Sequence, residues 1–167
     1  VLVSDLSGKS NISFKANELD IKYKDSKEIT GKLVSKVKDL EFEGYQFEAA
    51  DASLELILRE LSGEYSPFFK VLDSKVHISY DEVGTEKADA TLKVLVGDDI
   101  EHTASDGDGP VDALNKALRK ALAIFFPELK DVRLTDYKVR VLNEQEGTGA
   151  KVRVLIESAY EDDSWST

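Results

Sequence analysis

Apolar residues recur with a helical period up to Pro67 and with a period of two beyond it. Ser10-Asn11 predicts a capped helix running through Leu19, with Ile12, Ala16 and Leu19 on one side. From Lys27 to Leu40 the spacing of Ile29, Leu33, Val37 and Leu40 predicts a second helix; Gly31 weakens it and Gly44 ends the pattern. A third helix is predicted from about Ala50 to Leu61, with Leu54, Ile57, Leu58 and Leu61 as its buried stripe. Ser62-Gly63 stops it.

After Pro67, Val76, Ile78 and Tyr80 share one face of a strand, with His77 and Ser79 on the other. Ala90, Leu92, Val94 and Val96 form the face of a second strand, and Gly97-Asp98-Asp99 turns it into a third carrying Ile100, His102 and Ala104. The run Asp106-Gly107-Asp108-Gly109-Pro110 then starts a helix, because Pro110 suits the first helical position and Asp112 the first turn. Its predicted apolar face is Val111, Leu114, Leu118, Leu122 and Phe125, up to Pro127.

The strand pattern repeats. FKVLDSKVHI at 69–78 aligns with VRLTDYKVRV at 132–141, placing Asp73 on Asp136 and Lys75 on Lys138 at an offset of 63 (136 − 73 = 63). LKVLV at 92–96 aligns with VRVLI at 152–156 at an offset of 60, giving strands over roughly 132–142 and 150–159. Duplication predicts two equivalent units that bury their faces together. The fold expected is α+β: a separate helical subdomain over 1–65, then a duplicated βββα domain over 66–167 whose second copy is truncated, its third strand due to begin where the chain ends at Thr167. On that expectation Val152, Val154 and Ile156 lose their cover, and trimming of the tail, disorder, or compensation by another protomer follows.

Composition narrows the function. With 22 Lys and Arg against 33 Asp and Glu, the net charge of −11 argues against a nucleic-acid partner. No apolar stretch reaches the length needed to cross a bilayer. The absence of Cys removes disulfides and thiolate chemistry and fits a cytoplasmic protein. The opening VLVSDLSGKS has no initiator Met, as expected inside a longer protein. His77 and His102, the only histidines, lack metal-ligand spacing, and no nucleophile elbow or phosphate loop occurs, so neither catalytic nor metal residues are assigned. A D-x-D-G fragment resembles part of a calcium loop, but the helix starting at Pro110 removes the remaining ligands.

The best candidate site is the Gly-rich turn. Paired glycines allow close backbone approach, and the unpaired N–H groups of a helix start attract a carboxylate. The flanking Asp106, Asp108 and Asp112 repel a pure anion and accept an ammonium, so the turn suits an amino acid better than a nucleotide. An ordinary strand-to-helix turn also requires glycine, and the residues alone leave both readings open.

SGKSNISFKANEL at 7–19, EGYQFEAADASLELILREL at 43–61 and DGDGPVDALNKAL at 106–118 together resemble the 2-isopropylmalate synthase/citramalate synthase family, over nearly the whole chain. The GYQFEAADAS form resembles the citramalate synthase branch. The resemblance implies the regulatory region of an acyltransferase whose metal-dependent barrel, outside this chain, condenses acetyl-CoA with a 2-oxo acid, pyruvate in the citramalate branch. It implies no cofactor in the chain itself, a homodimer, contact with the parent's own barrel, and feedback by an end-product amino acid, isoleucine. It places the effector at Gly107, Gly109, Pro110, Val111 and Ala113. The alternatives are a leucine-regulated 2-isopropylmalate synthase domain and a dimerisation brace that binds no effector.

Overall fold

The structure is a computed structural model and describes residues 27–47 and 50–167; the helix predicted at 10–19 lies outside them. It holds two helices, three strands, a third helix and three more strands, and divides into two compact units. One covers Pro67–Val132. The other joins the preceding helical segment to Arg133–Thr167.

In the first of these, β1 (Lys70–Tyr80), β2 (Glu86–Val96) and β3 (Asp99–Gly107) form an antiparallel sheet in that order, followed by α3 (Pro110–Leu122). Alternation decides the buried face: Ala88, Ala90, Leu92 and Val94 of β2 are buried beneath α3. The helix meets them through Ala113, Ala117, Ala121 and Leu122, of which only Leu122 belongs to the predicted stripe. Val111 is 53% exposed, and Leu114 and Leu118 flank the contact, half-buried. Alanine on both surfaces lets helix and sheet approach closely, and Thr103 Oγ1 donates to the Ala117 carbonyl at 2.8 Å. The helix ends at Leu122, short of the predicted Pro127. Beyond it, Arg119 donates to the Leu129 and Val132 carbonyls at 2.5 and 2.8 Å, fixing the return connection.

In the other unit, α1 (Lys27–Glu43) and α2 (Asp51–Ser62) pack through Leu33, Val37, Phe47, Leu54 and Leu58. Gly63, with φ of +73°, ends α2 as the stop signal requires. β4 (Arg133–Val141), β5 (Val152–Tyr160) and β6 (Asp163–Ser166) form a second antiparallel sheet in that order.

The duplication is visible in the hydrogen-bond registers. Each first strand carries a bulge at the same place, between Val71 and Asp73 and between Leu134 and Asp136. Each bulge presents an Asp to the Lys two residues on: Asp73–Lys75 at 3.1 Å, and the close pair Asp136–Lys138. The second-strand alignment needs correction. Val76 pairs with Ala90 and Val139 with Val154, so the offset there is 64 (154 − 90 = 64), not 60. The misalignment slid by an even number of residues along an alternating pattern, which preserves the faces and hides the error. The third strand of the second copy was also placed too late. It begins at Asp163, opposite Tyr160, as β3 begins at Asp99, opposite Val96. Thr167 and Ile156 exchange two backbone hydrogen bonds of 2.9 Å beyond it. The turn equivalent to Gly97 (φ +60°) is made by Glu161 (φ +51°).

The β5 face equivalent to the one α3 covers carries Val152 and Val154, both exposed, beside exposed Val139, Val141 and Tyr137 of β4 and Trp165 of β6. Ile156 is half-buried.

Candidate functional site

The Gly-rich turn joins β3 to α3. Gly107 closes β3 opposite Ala88, and Gly109 is the N-cap of α3, followed by Pro110 at the first helical position. The two glycines are there for different reasons. A Cβ on Gly107 would stand 2.3 Å from the Ala113 nitrogen and 2.7 Å from its Cα, so strand end and helix start touch backbone to backbone. Gly109 has nothing within 4 Å, and its φ of −175° is open to any residue. It supplies no cap, although Ser, Asp or Asn would bond the first-turn N–H groups there. Ala113 N–H bonds the Gly109 carbonyl at 3.0 Å, which leaves the Val111 and Asp112 N–H groups as first-turn donors.

Of the five predicted residues, Gly109, Pro110 and Val111 lie at the accessible end of the turn, with Val111 exposed. Gly107 shapes the junction, and the Ala113 side chain is fully buried in the core. The acidic residues divide as well. Asp112 Oδ2 takes the Lys116 ammonium at 2.6 Å and the Asp108 N–H at 3.0 Å. Lys116 first, and the Asp108 N–H second, hold its carboxyl below the usual range, while Asp112 raises Lys116. Asp112 is therefore committed, whereas Asp106 and Asp108 are exposed.

The histidines lie on the sheet face away from α3. His77 Nδ1 sits 3.1 Å from Asp89 Oδ2, and His102 lies opposite Lys93. Among the described residues no group of three His, Cys, Asp or Glu could hold a metal.

A second constellation escaped the sequence reading. At the end of α1, Gly44 has φ of +108°, and a Cβ there would stand 2.3 Å from Leu142 Cδ1. Arg153 Nε donates to the Gly44 carbonyl at 2.5 Å and Nη1 to Gln46 Oε1 at 2.8 Å. Beside this joint lies a half-open cleft of about 420 Å³. The only signal in the sequence was the tetrapeptide Lys-Val-Arg-Val, present at 138–141 and again at 151–154.

Residues 48–167 match the LeuA allosteric (dimerisation) domain. The chain is 48% identical to an (R)-citramalate synthase of Geobacter sulfurreducens and 46% identical to one of Aquifex aeolicus. Each alignment takes in 100% of this chain and 32% of the relative. It is 27% identical to a 2-isopropylmalate synthase of Aquifex aeolicus, over 94% of this chain and 28% of that protein. The chain thus spans about a third of the length of the curated relatives it matches. No helix among the described residues is long and apolar enough to cross a membrane.

Proposed function

Because this chain belongs to the LeuA allosteric (dimerisation) domain family of the citramalate and 2-isopropylmalate synthases, we propose that it senses a branched-chain amino acid, isoleucine, for an (R)-citramalate synthase. The observation that carries this reading is Gly109: a bare N-cap where neither backbone angle nor packing asks for glycine. An effector carboxylate meets the Val111 and Asp112 N–H groups at the helix start. Its ammonium lies toward Asp106 and Asp108, and its aliphatic side chain against exposed Val111.

The regulatory part works as a homodimer, a role supported by the matched domain and by the open apolar face of β4–β6, which a single copy leaves wet. Effector binding favours one arrangement of the dimer, and the helical segment passes that bias to the parent's barrel. Acetyl-CoA and the divalent metal belong to that barrel; the described residues bring no metal-ligand set together.

Calorimetry and activity assays on the full-length synthase with isoleucine and with leucine provide the test. Heat and inhibition with isoleucine are expected, and preference for leucine would move the parent to the 2-isopropylmalate branch. Gly109→Asp places a carboxylate where the effector's would lie without crowding the fold, so feedback should vanish with activity retained. Feedback unchanged in that variant would leave the domain as a brace.

A further inference from the structure

The β4–β5 hairpin breaks a rule that its twin obeys. Register pairs Arg140 directly with Arg153, two like charges on one face. The equivalent positions in the first copy are His77 and Asp89 (140 − 63 = 77; 153 − 64 = 89), which pair at 3.1 Å. Lys151 corresponds to Lys87 (151 − 64 = 87), which has Asp81 at 3.8 Å. The fold therefore does not require uncompensated cations here, and opposed like charges destabilise a ladder. Neither Arg140 nor Lys151 has an ion pair among the described residues.

Among the described residues Arg153 is engaged by neutral acceptors, the Gly44 carbonyl and Gln46 Oε1, which fix its direction without cancelling its charge. On this face Asp136 is taken by Lys138. The cleft beside the hairpin is lined by Glu43, Gly44, Tyr45 and Leu142 and by the run Lys151 to Val154, with Glu43 its single carboxylate among the described residues.

We propose that this cleft is a binding site for a small oxyanion, with Lys151 as the gripping cation in its lining, Arg153 as the pre-oriented second, and Arg140, outside the lining but opposite Arg153 in the ladder, adding positive charge beside it. A planar guanidinium held in place and a mobile ammonium beside it are suited to a phosphoryl or carboxylate group, whose oxygens accept several charge-assisted hydrogen bonds. The site is built from other residues than the Gly-rich turn and belongs to the other compact unit, so it stands or falls independently of the effector reading.

The test titrates the chain with inorganic phosphate and with acetate, against chloride at equal ionic strength, by calorimetry and thermal unfolding. Saturable binding and a rise in Tm beyond that given by chloride are expected. Phosphate alone would point to a phosphorylated ligand, and acetate as well to a carboxylate. The double variant Arg140→Gln/Lys151→Gln, at two exposed positions, should fold normally and weaken binding by about tenfold or more. A chloride effect equal to that of phosphate, or unchanged binding in the double variant, would overturn the proposal.

Discussion

Gly107→Ala should be the most damaging single methyl this chain can receive at its Gly-rich turn. The added Cβ would lie 2.3 Å from the Ala113 nitrogen, 2.7 Å from its Cα and 2.8 Å from the Asp112 carbonyl carbon. Ordinary contact begins near 3.4 Å, so about 1.1 Å must be found (3.4 − 2.3 = 1.1). None of the obstructing atoms is a side chain that can swing aside. Helix α3 would have to lift from β3 while Ala113, Ala117 and Ala121 are each 0% exposed against the sheet. Overpacking costs typically 1–3 kcal/mol, and rigid backbone on both sides puts this case near the top, at about 3 kcal/mol. At about 2–4 °C per kcal/mol for a chain of this size, Tm falls by about 6–12 °C. Gly109→Ala is the control: with open space and an extended backbone it should change stability by no more than about 0.5 kcal/mol. Thermal and urea unfolding of both variants decides the matter. A Gly107→Ala protein melting with the parent, or a Gly109→Ala protein falling as far, would refute the packing account.

Glu161→Gly should stabilise the β5–β6 turn by about 0.5–1 kcal/mol, because Glu161 holds a φ of +51° where the first copy uses Gly97, and chemical denaturation would show the gain. The bulge ion pairs predict a pH dependence with a definite sign. Lys75 holds Asp73, and Lys138 holds Asp136, below the carboxylate value of 3.8, so their contribution is whole above that value and lost as pH falls through the lowered pKa. Asp136 raises Lys138 above 10.5, so the same pair also weakens as pH climbs through that raised value. The Tm difference between the parent chain and Lys138→Gln should be present at about pH 7, shrink with salt, and close as the pH falls through the lowered Asp136 value; a gap independent of pH would contradict it.

The helices and the first five strands were legible because burial imposes its period on the sequence: Leu33 and Val37, Leu54 and Leu58, and Leu92 and Val94 fall where the spacing put them. What was misread has physical causes. The contact stripe of α3 is alanine up to the predicted Leu122; the small alanine side chain scores as neither core nor surface, so the predicted face was drawn toward Leu114 and Leu118, which flank the contact, and exposed Val111. Strand β6 is four residues long and ends in Ser-Trp-Ser, too short to show alternation. The Arg140–Arg153 opposition exists only once register is known, and register is set by pairing, not by either strand alone. At the candidate turn, sequence identified the glycines, but only distances separate the one that packing demands from the one it does not.

The two copies agree where a sheet needs them to and part where something must lie on it. Bulge, ion pair and register are shared. On the covered face, however, Ala88 and Ala90 of the first copy become Val152 and Val154 of the second (152 − 88 = 64; 154 − 90 = 64). Alanine facing alanine is what lets α3 lie close on β2. Two branched residues in the same places add methyl groups into that gap, and overpacking would push an identical helix outward. Whatever covers β4–β6 therefore rests farther from its sheet than α3 does, or meets it through residues smaller than alanine. The Val152→Ala/Val154→Ala pair tests this in the dimer: if the second face is packed at α3's distance the change relieves strain and stabilises, whereas at the greater distance it leaves a cavity and weakens association.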